Sequence, residues 1–142
     1  MKKFLLLIVM LFMVCGCGEE ISDLDITKAT TAVEKTLVGM EEVKEDLLKD
    51  VYGMNLETFS DYVFKSNMNG EVYAIIKSSD KSDTKEQMDK YFSKVREYNT
   101  AYSPEQVQKL DDRLEKEIGD YLIYIVSDSQ DKVYQDIIDT ME

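Results

Sequence analysis

The chain has 142 residues, with 17 Lys and Arg against 29 Asp and Glu for a net charge of -12, two Cys, one Pro, and neither His nor Trp. Without imidazole, and with both cysteines falling in the export segment described next, the triads and zinc sites that need a general base or a soft ligand near neutral pH cannot be assembled. The length suits one domain, and 44% hydrophobic with 32% charged residues is the balance of a globular chain that can bury a core.

Met1, Lys2 and Lys3 precede an uninterrupted apolar run from Phe4 to Cys15, the pattern of an export signal. At 1.5 Å per residue these twelve residues span about 18 Å, short of the roughly 30 Å hydrocarbon core, which argues against a permanent membrane helix. Val14-Cys15-Gly16-Cys17 then resembles the bacterial lipobox, an aliphatic residue and two small ones before Cys. The resemblance implies a diacylglyceryl thioether on Cys17 and cleavage between Gly16 and Cys17. Cys15 is the competing acceptor, but Phe12, Met13 and Val14 before it are bulky for a peptidase cleft. An ordinary secretory signal with incidental cysteines is the other alternative. Two acyl chains hold a protein on a bilayer durably, at about 0.8 kcal/mol per buried methylene. Loss of residues 1–16 removes Lys2 and Lys3 and no acid, which takes the net charge from -12 to -14, and it leaves no free thiol.

The reading is therefore a lipoprotein signal peptide over 1–16, an acidic tether over 17–26 and a single domain over 27–142. From Thr27 to Tyr52 the apolar residues Ala29, Val33, Leu37, Met40, Val43, Leu47 and Val51 step by three and four, predicting helix that Gly39 splits or kinks and Gly53 ends. Thr58 to Lys65 and Glu71 to Ser78 read as strands joined at Asn67-Met68-Asn69-Gly70, a hairpin signal. Asp83 with Glu86 makes a capping box for a helix bearing Met88, Tyr91, Phe92, Val95, Tyr98 and Tyr102. Ser103-Pro104-Glu105-Gln106 starts another helix, with Ser103 as N-cap, Pro104 at the first position and Gln106 closing the box. Tyr121 to Ser127 is a strand, and Asp131 to Met141 a final helix.

Val107, Leu110, Leu114 and Ile118 keep a helical step up to Gly119, which leaves 113–118 open between helix and strand, since Gly119-Asp120 also turns a hairpin into the Tyr121 strand. An internal repeat favours strand there, because Gly70 to Ser78 lines up without gaps on Gly119 to Ser127, each followed by an acidic turn and a helix. The fold class is α+β: a small antiparallel sheet of three to four strands in two strand–strand–helix units, helices packed on one face, and N-terminal helices.

Only carboxylate chemistry remains open, and no spacing among Glu41-Glu42, Asp80 with Asp83, Asp111-Asp112 or Asp128 with Asp131 selects a catalytic pair. The Asp80-Lys81-Ser82-Asp83 and Asp128-Ser129-Gln130-Asp131 turns lack the ligand series and central Gly of a calcium loop, and helix capping accounts for them. No metal, cofactor or catalytic residue is assigned. Tyr91, Tyr98 and Tyr102 form a stripe at helical spacing, read as core or partner interface before a ligand platform. The acidic charge argues against nucleic acid and against lying flat on anionic lipid.

Tyr52-Gly53-Met54-Asn55, Glu71-Val72-Tyr73-Ala74-Ile75, Tyr102-Ser103-Pro104-Glu105-Gln106 and Gly119-Asp120-Tyr121-Leu122 together resemble a family of small Gram-positive lipoproteins, the domain of unknown function 4358. The resemblance runs from about Leu47 to Ser127 and lends no activity. Before the Gly119 turn this chain has Arg113, Glu115, Lys116 and Glu117 where the family tends to be apolar. The functional expectation is a non-enzymatic lipoprotein on the extracytoplasmic face of the cell membrane, held by lipid on Cys17 and binding an envelope protein through an exposed apolar patch. The alternative is a small ligand-binding lipoprotein that presents a cationic solute or peptide to a transporter.

Overall fold

The structure, a computed structural model, describes residues 23–141. Gly16 and Cys17 lie outside the described residues. Helix α1 (Ile26–Val33) is followed by a two-residue strand β1 (Glu41–Glu42), a π-helical turn (Leu47–Val51) and a single 3-10 turn before strands β2 (Phe59–Ser66) and β3 (Val72–Ser78). Helices α2 (Lys81–Tyr102) and α3 (Pro104–Asp111), strands β4 (Leu114–Ile118) and β5 (Tyr121–Val126), and helix α4 (Gln130–Ile138) follow, with a closing 3-10 turn over Asp139–Met141. The fold is α+β, and the ambiguous segment before Gly119 resolves as strand over Leu114–Ile118.

The sheet has five strands rather than three or four, in the order β1-β2-β3-β5-β4, with every neighbouring pair antiparallel. The extra strand is β1, which the helical spacing over 27–52 concealed. That stretch is one short helix, a strand and a π-helical turn, because the chain leaves α1 after Val33 and turns at Gly39 to pair Glu41 with Ser66 and Glu42 with Lys65. Gly53 ends the π-helical turn as expected, at φ +69°.

Helices cover both faces of the sheet, not one. Val72, Ala74 and Ile76 of β3 and Leu122, Tyr124 and Val126 of β5 pack with Met88, Tyr91 and Phe92 of α2 and Leu110 of α3. Tyr73, Ile75, Ile123 and Ile125 point the other way, to Ala29 and Val33 of α1 and Val133 and Ile137 of α4. The sequence repeat explains the two layers. Its alignment is offset by one residue from the β3–β5 pairing: Ala74 pairs with Tyr124 but matches Ile123, and because paired residues share a face while successive ones alternate, aligned positions look in opposite directions. Ala74, for example, belongs to the α2 side, and Ile123, its match, to the α4 side.

Two caps differ from expectation. Asp80, not Asp83, caps α2, its Oδ1 accepting from the Asp83 N–H at 3.0 Å, while the Asp83 carboxylate accepts from Gln87 Nε2 at 2.6 Å. Pro104 does open α3, but Ser103 makes no side-chain cap bond, and Gln106 donates instead to the Asn69 carbonyl at 2.7 Å. The β2–β3 turn thereby becomes tied to the start of α3.

The fold has two distinct ends. Lys77 and Tyr121, partners across β3 and β5, mark one, and Asp23 is fixed there by Lys77 Nζ at 3.1 Å and the Tyr121 hydroxyl at 2.8 Å. Leu24 is buried directly beyond it. The β2–β3 turn marks the opposite end, and α2 starts beside Ser78 and runs its 22 residues, about 33 Å, back toward it.

Candidate interaction surface

The π-helical turn follows from where its side chains can go. Leu48 is fully buried, whereas Leu47 and Val51, four residues apart, stay exposed on the outer side. The Tyr52 N–H reaches back five residues to the Leu47 carbonyl at 3.2 Å, and the Gly53 N–H to that of Lys49 at 3.1 Å. This wider turn sits on the core through Tyr52, whose ring lies 4.5 Å from that of Tyr91. Burial, with Tyr98 nearby, raises the Tyr52 hydroxyl above its ordinary pKa. Lys94 of α2 fastens the end of the turn by donating to the Val51 carbonyl at 2.9 Å. Single π-helical turns are frequent at functional sites.

An open groove lies on each side. One, of about 550 Å³, runs between Val38, Glu41, Glu42, Leu47 and Met68, from the Gly39 turn past β1 to the β2–β3 turn. Asn67 shapes its far wall, donating to the Val38 carbonyl at 3.2 Å and the Glu71 carboxylate at 2.8 Å while its own Oδ1 accepts from Asn69 N–H at 3.0 Å. The other, of about 440 Å³, lies between Val51, Tyr52 and the last turns of α2, lined by Glu97, Tyr98 and Tyr102.

The exposed large apolar side chains among the described residues are Val38, Leu47, Val51, Met68, Tyr98 and Tyr102, and all six line these two grooves. Isolated exposed apolar residues are ordinary, but their concentration around one turn makes this surface the candidate site. The tyrosine stripe is therefore divided: Tyr91 is core, and Tyr98 and Tyr102 are surface. Helical spacing signalled the stripe but not where the sheet beneath it ends. Leu47, Val51, Val38 and Met68 escaped the sequence reading, since the first two fit its helical face and the others sit in turns.

The acidic clusters are separated. Asp80 caps α2, Asp111 is held by Arg96 Nε at 2.9 Å, and Asp128 pairs with Lys109 at 2.8 Å. Arg96 is the largest cause that keeps the Asp111 carboxyl below the usual carboxylate range. Glu41 and Glu42 line the larger groove without an ion pair among the described residues. At the far edge of the sheet Glu117 accepts from Lys81 at 2.6 Å and Lys85 at 2.9 Å, which lowers its carboxyl to about 2.

A five-stranded antiparallel sheet covered on both faces, with exposed apolar side chains gathered beside a π-helical turn, defines a small α+β domain. The chain belongs to the domain of unknown function family DUF4358, whose model matches residues 32–127. That match takes in β1, the π-helical turn, both grooves and all five strands. No curated protein and no solved structure matches the chain. No helix among the described residues is long and apolar enough to cross a membrane.

Proposed function

We propose that this protein is a membrane-anchored extracytoplasmic lipoprotein whose domain acts as a non-enzymatic interaction module of the cell envelope. The observation that carries the reading is the gathering of six exposed apolar residues into two grooves on either side of the Leu47–Val51 turn. The Val14-Cys15-Gly16-Cys17 motif supports anchoring through lipid on Cys17. The chain enters the domain at Asp23, while Met68 and Tyr102 lie toward the opposite end. An anchor before Asp23 would thus leave both grooves facing away from the bilayer, and a net charge of -14 after signal removal opposes tilting onto anionic lipid.

In-cell cross-linking with mass spectrometry tests this, comparing wild type, Cys17→Ala and a Tyr98→Ser/Tyr102→Ser variant. Wild type should capture one reproducible envelope protein and incorporate labelled palmitate, Cys17→Ala should lose the label, and the tyrosine variant should weaken the capture. Full complementation by Cys17→Ala released as a free monomer sinks the proposal.

A second reading, a small ligand-binding lipoprotein, is favoured by the smaller groove, where Tyr52, Tyr98 and Tyr102 stand beside Glu97 in a strongly acidic domain, a setting for a cationic solute. A screen of cationic solutes that produces no thermal shift removes its support.

A further inference from the structure

We propose that the free edge of β1 is a strand-addition site for an extended, basic segment of another extracytoplasmic protein. This rests on the interaction-module reading and specifies the partner's chemistry. β1 pairs with the end of β2 through Glu41 with Ser66 and Glu42 with Lys65, and the Val43 N–H continues the ladder onto the Phe64 carbonyl at 2.9 Å. Along an antiparallel strand, backbone groups alternate between the paired side and the open side. Val43 turns toward β2, so the N–H and C=O of Glu42 face outward, beside the larger groove. An open edge of this kind is a template for an added strand.

The two edges of the sheet differ in how they are guarded. On β4, Glu117 is bound by Lys81 and Lys85, and Glu115 by Arg113 at 2.7 Å, so both of its carboxylates are already paired within the domain. On β1, Glu41 and Glu42 are both exposed and carry no ion pair among the described residues. Val38 at 76% exposure and Met68 at 104%, with Leu47, stand around that edge ready to receive alternate apolar side chains.

Charge selects the occupant. Among the described residues Lys44 is the one cation lining the groove, and a basic segment would bring counter-charges to Glu41 and Glu42 while an acidic one would be repelled. A second copy of the chain is disfavoured, because two β1 edges meeting about a two-fold axis would set Glu42 opposite Glu42. Aligned strand addition supplies backbone hydrogen bonds, and the apolar trio supplies side-chain contact.

The test uses the full chain in neutral phosphatidylcholine vesicles, with two ten-residue peptides, one alternating Lys and Val and one alternating Glu and Val. The basic peptide should bind at least about tenfold more tightly, weaken with added salt, and slow amide exchange at Glu42. Glu42→Pro removes the outward N–H without removing a bond to β2, as prolines on sheet edges allow, and should lose about tenfold in affinity. Glu41→Gln/Glu42→Gln gives a second variant that leaves the backbone intact and should erase the preference for the basic peptide. No binding by the basic peptide, equal binding of the two peptides, exchange protection at Tyr98–Tyr102 instead, or unchanged binding by both variants would overturn the proposal. A photo-crosslinker at Tyr102 that captures an envelope protein in cells, with none captured from Met68, overturns strand addition but leaves the interaction-module reading standing. Complementation by the released Cys17→Ala monomer removes that reading itself.

Discussion

The side-chain amide of Gln106 lies directly against Gly70: a Cβ on residue 70 would stand 2.3 Å from Gln106 Oε1, and the residue sits at φ +73°. One turn thus carries two constraints, a left-handed backbone and a close neighbour. Gly119 has φ +55° and nothing within 4 Å of a built Cβ, so it carries the backbone constraint alone. Gly119→Ala should cost roughly 1–2 kcal/mol, the left-handed penalty for an L residue. Gly70→Ala should cost more, because the Gln106 amide must swing aside and give up its bond to the Asn69 carbonyl, whereas Gly70→Ala placed in a Gln106→Ala background should cost no more than Gly119→Ala. Chemical denaturation of the four proteins reads it directly, and equal costs at the two glycines would show that Gln106 does not press on the turn.

Cores on both faces of the sheet predict that truncation on either is expensive. Met88 of α2 and Ile137 of α4 are both fully buried, on opposite sides. Met88→Ala and Ile137→Ala should each lower stability by about 2–5 kcal/mol. A cost at Ile137 below about 1 kcal/mol in denaturant melts would mean that α4 does not pack on the sheet.

The divided tyrosine stripe gives a sharper contrast within one helix. Tyr91 is 3% exposed and its ring meets those of Tyr52, Phe64 and Phe92, whereas Tyr98 is 71% exposed. Tyr91→Ala should cost roughly 3–5 kcal/mol and Tyr98→Ala within about 0.5 kcal/mol of nothing. Thermal melts of the pair decide it, and a large loss at Tyr98 would place that residue in the core instead of on the surface.

Glu117 ties α2 to β4 through Lys81 and Lys85, and those bonds lower its carboxyl from 4.5 to about 2. A carboxylate with a depressed folded pKa contributes stability that is complete above its unfolded value and disappears as the pH falls through the folded one. The contribution should hold above about pH 4.5 and decline toward pH 2. Carboxyl carbon shifts in NMR should place the Glu117 midpoint near 2, and Glu117→Gln should flatten the acid limb of the stability curve across that window. A midpoint at the ordinary 4.5 would mean the two lysines are not engaged.

What the sequence revealed well was local. The Asn67 to Gly70 turn, the strands on either side, the Pro104 helix start and the Gly119-Asp120 turn all depend on residues within a few positions of one another, and all appear where their patterns put them. The two-sided core was also written there, though less visibly. Val72 to Ile76 and Tyr121 to Val126 are apolar at every position instead of alternating, as a strand buried on both faces requires. Gln106 was misread because its partner, Asn69, is remote in the chain, and no capping pattern reports a contact of that range.

By itself the sequence determined the α+β class, the boundaries of most elements, and the acidic charge that opposes phosphate and anionic lipid, since these follow from local patterning and composition. Only the tertiary structure decided which side of the sheet each helix covers, that Glu41–Glu42 joins the sheet as an edge strand, and that six dispersed apolar residues meet around one π-helical turn. The physical reason is that exposure belongs to a side chain's neighbours. Tyr91 and Tyr98 share one helical pattern, and packing beneath them buries one and leaves the other exposed.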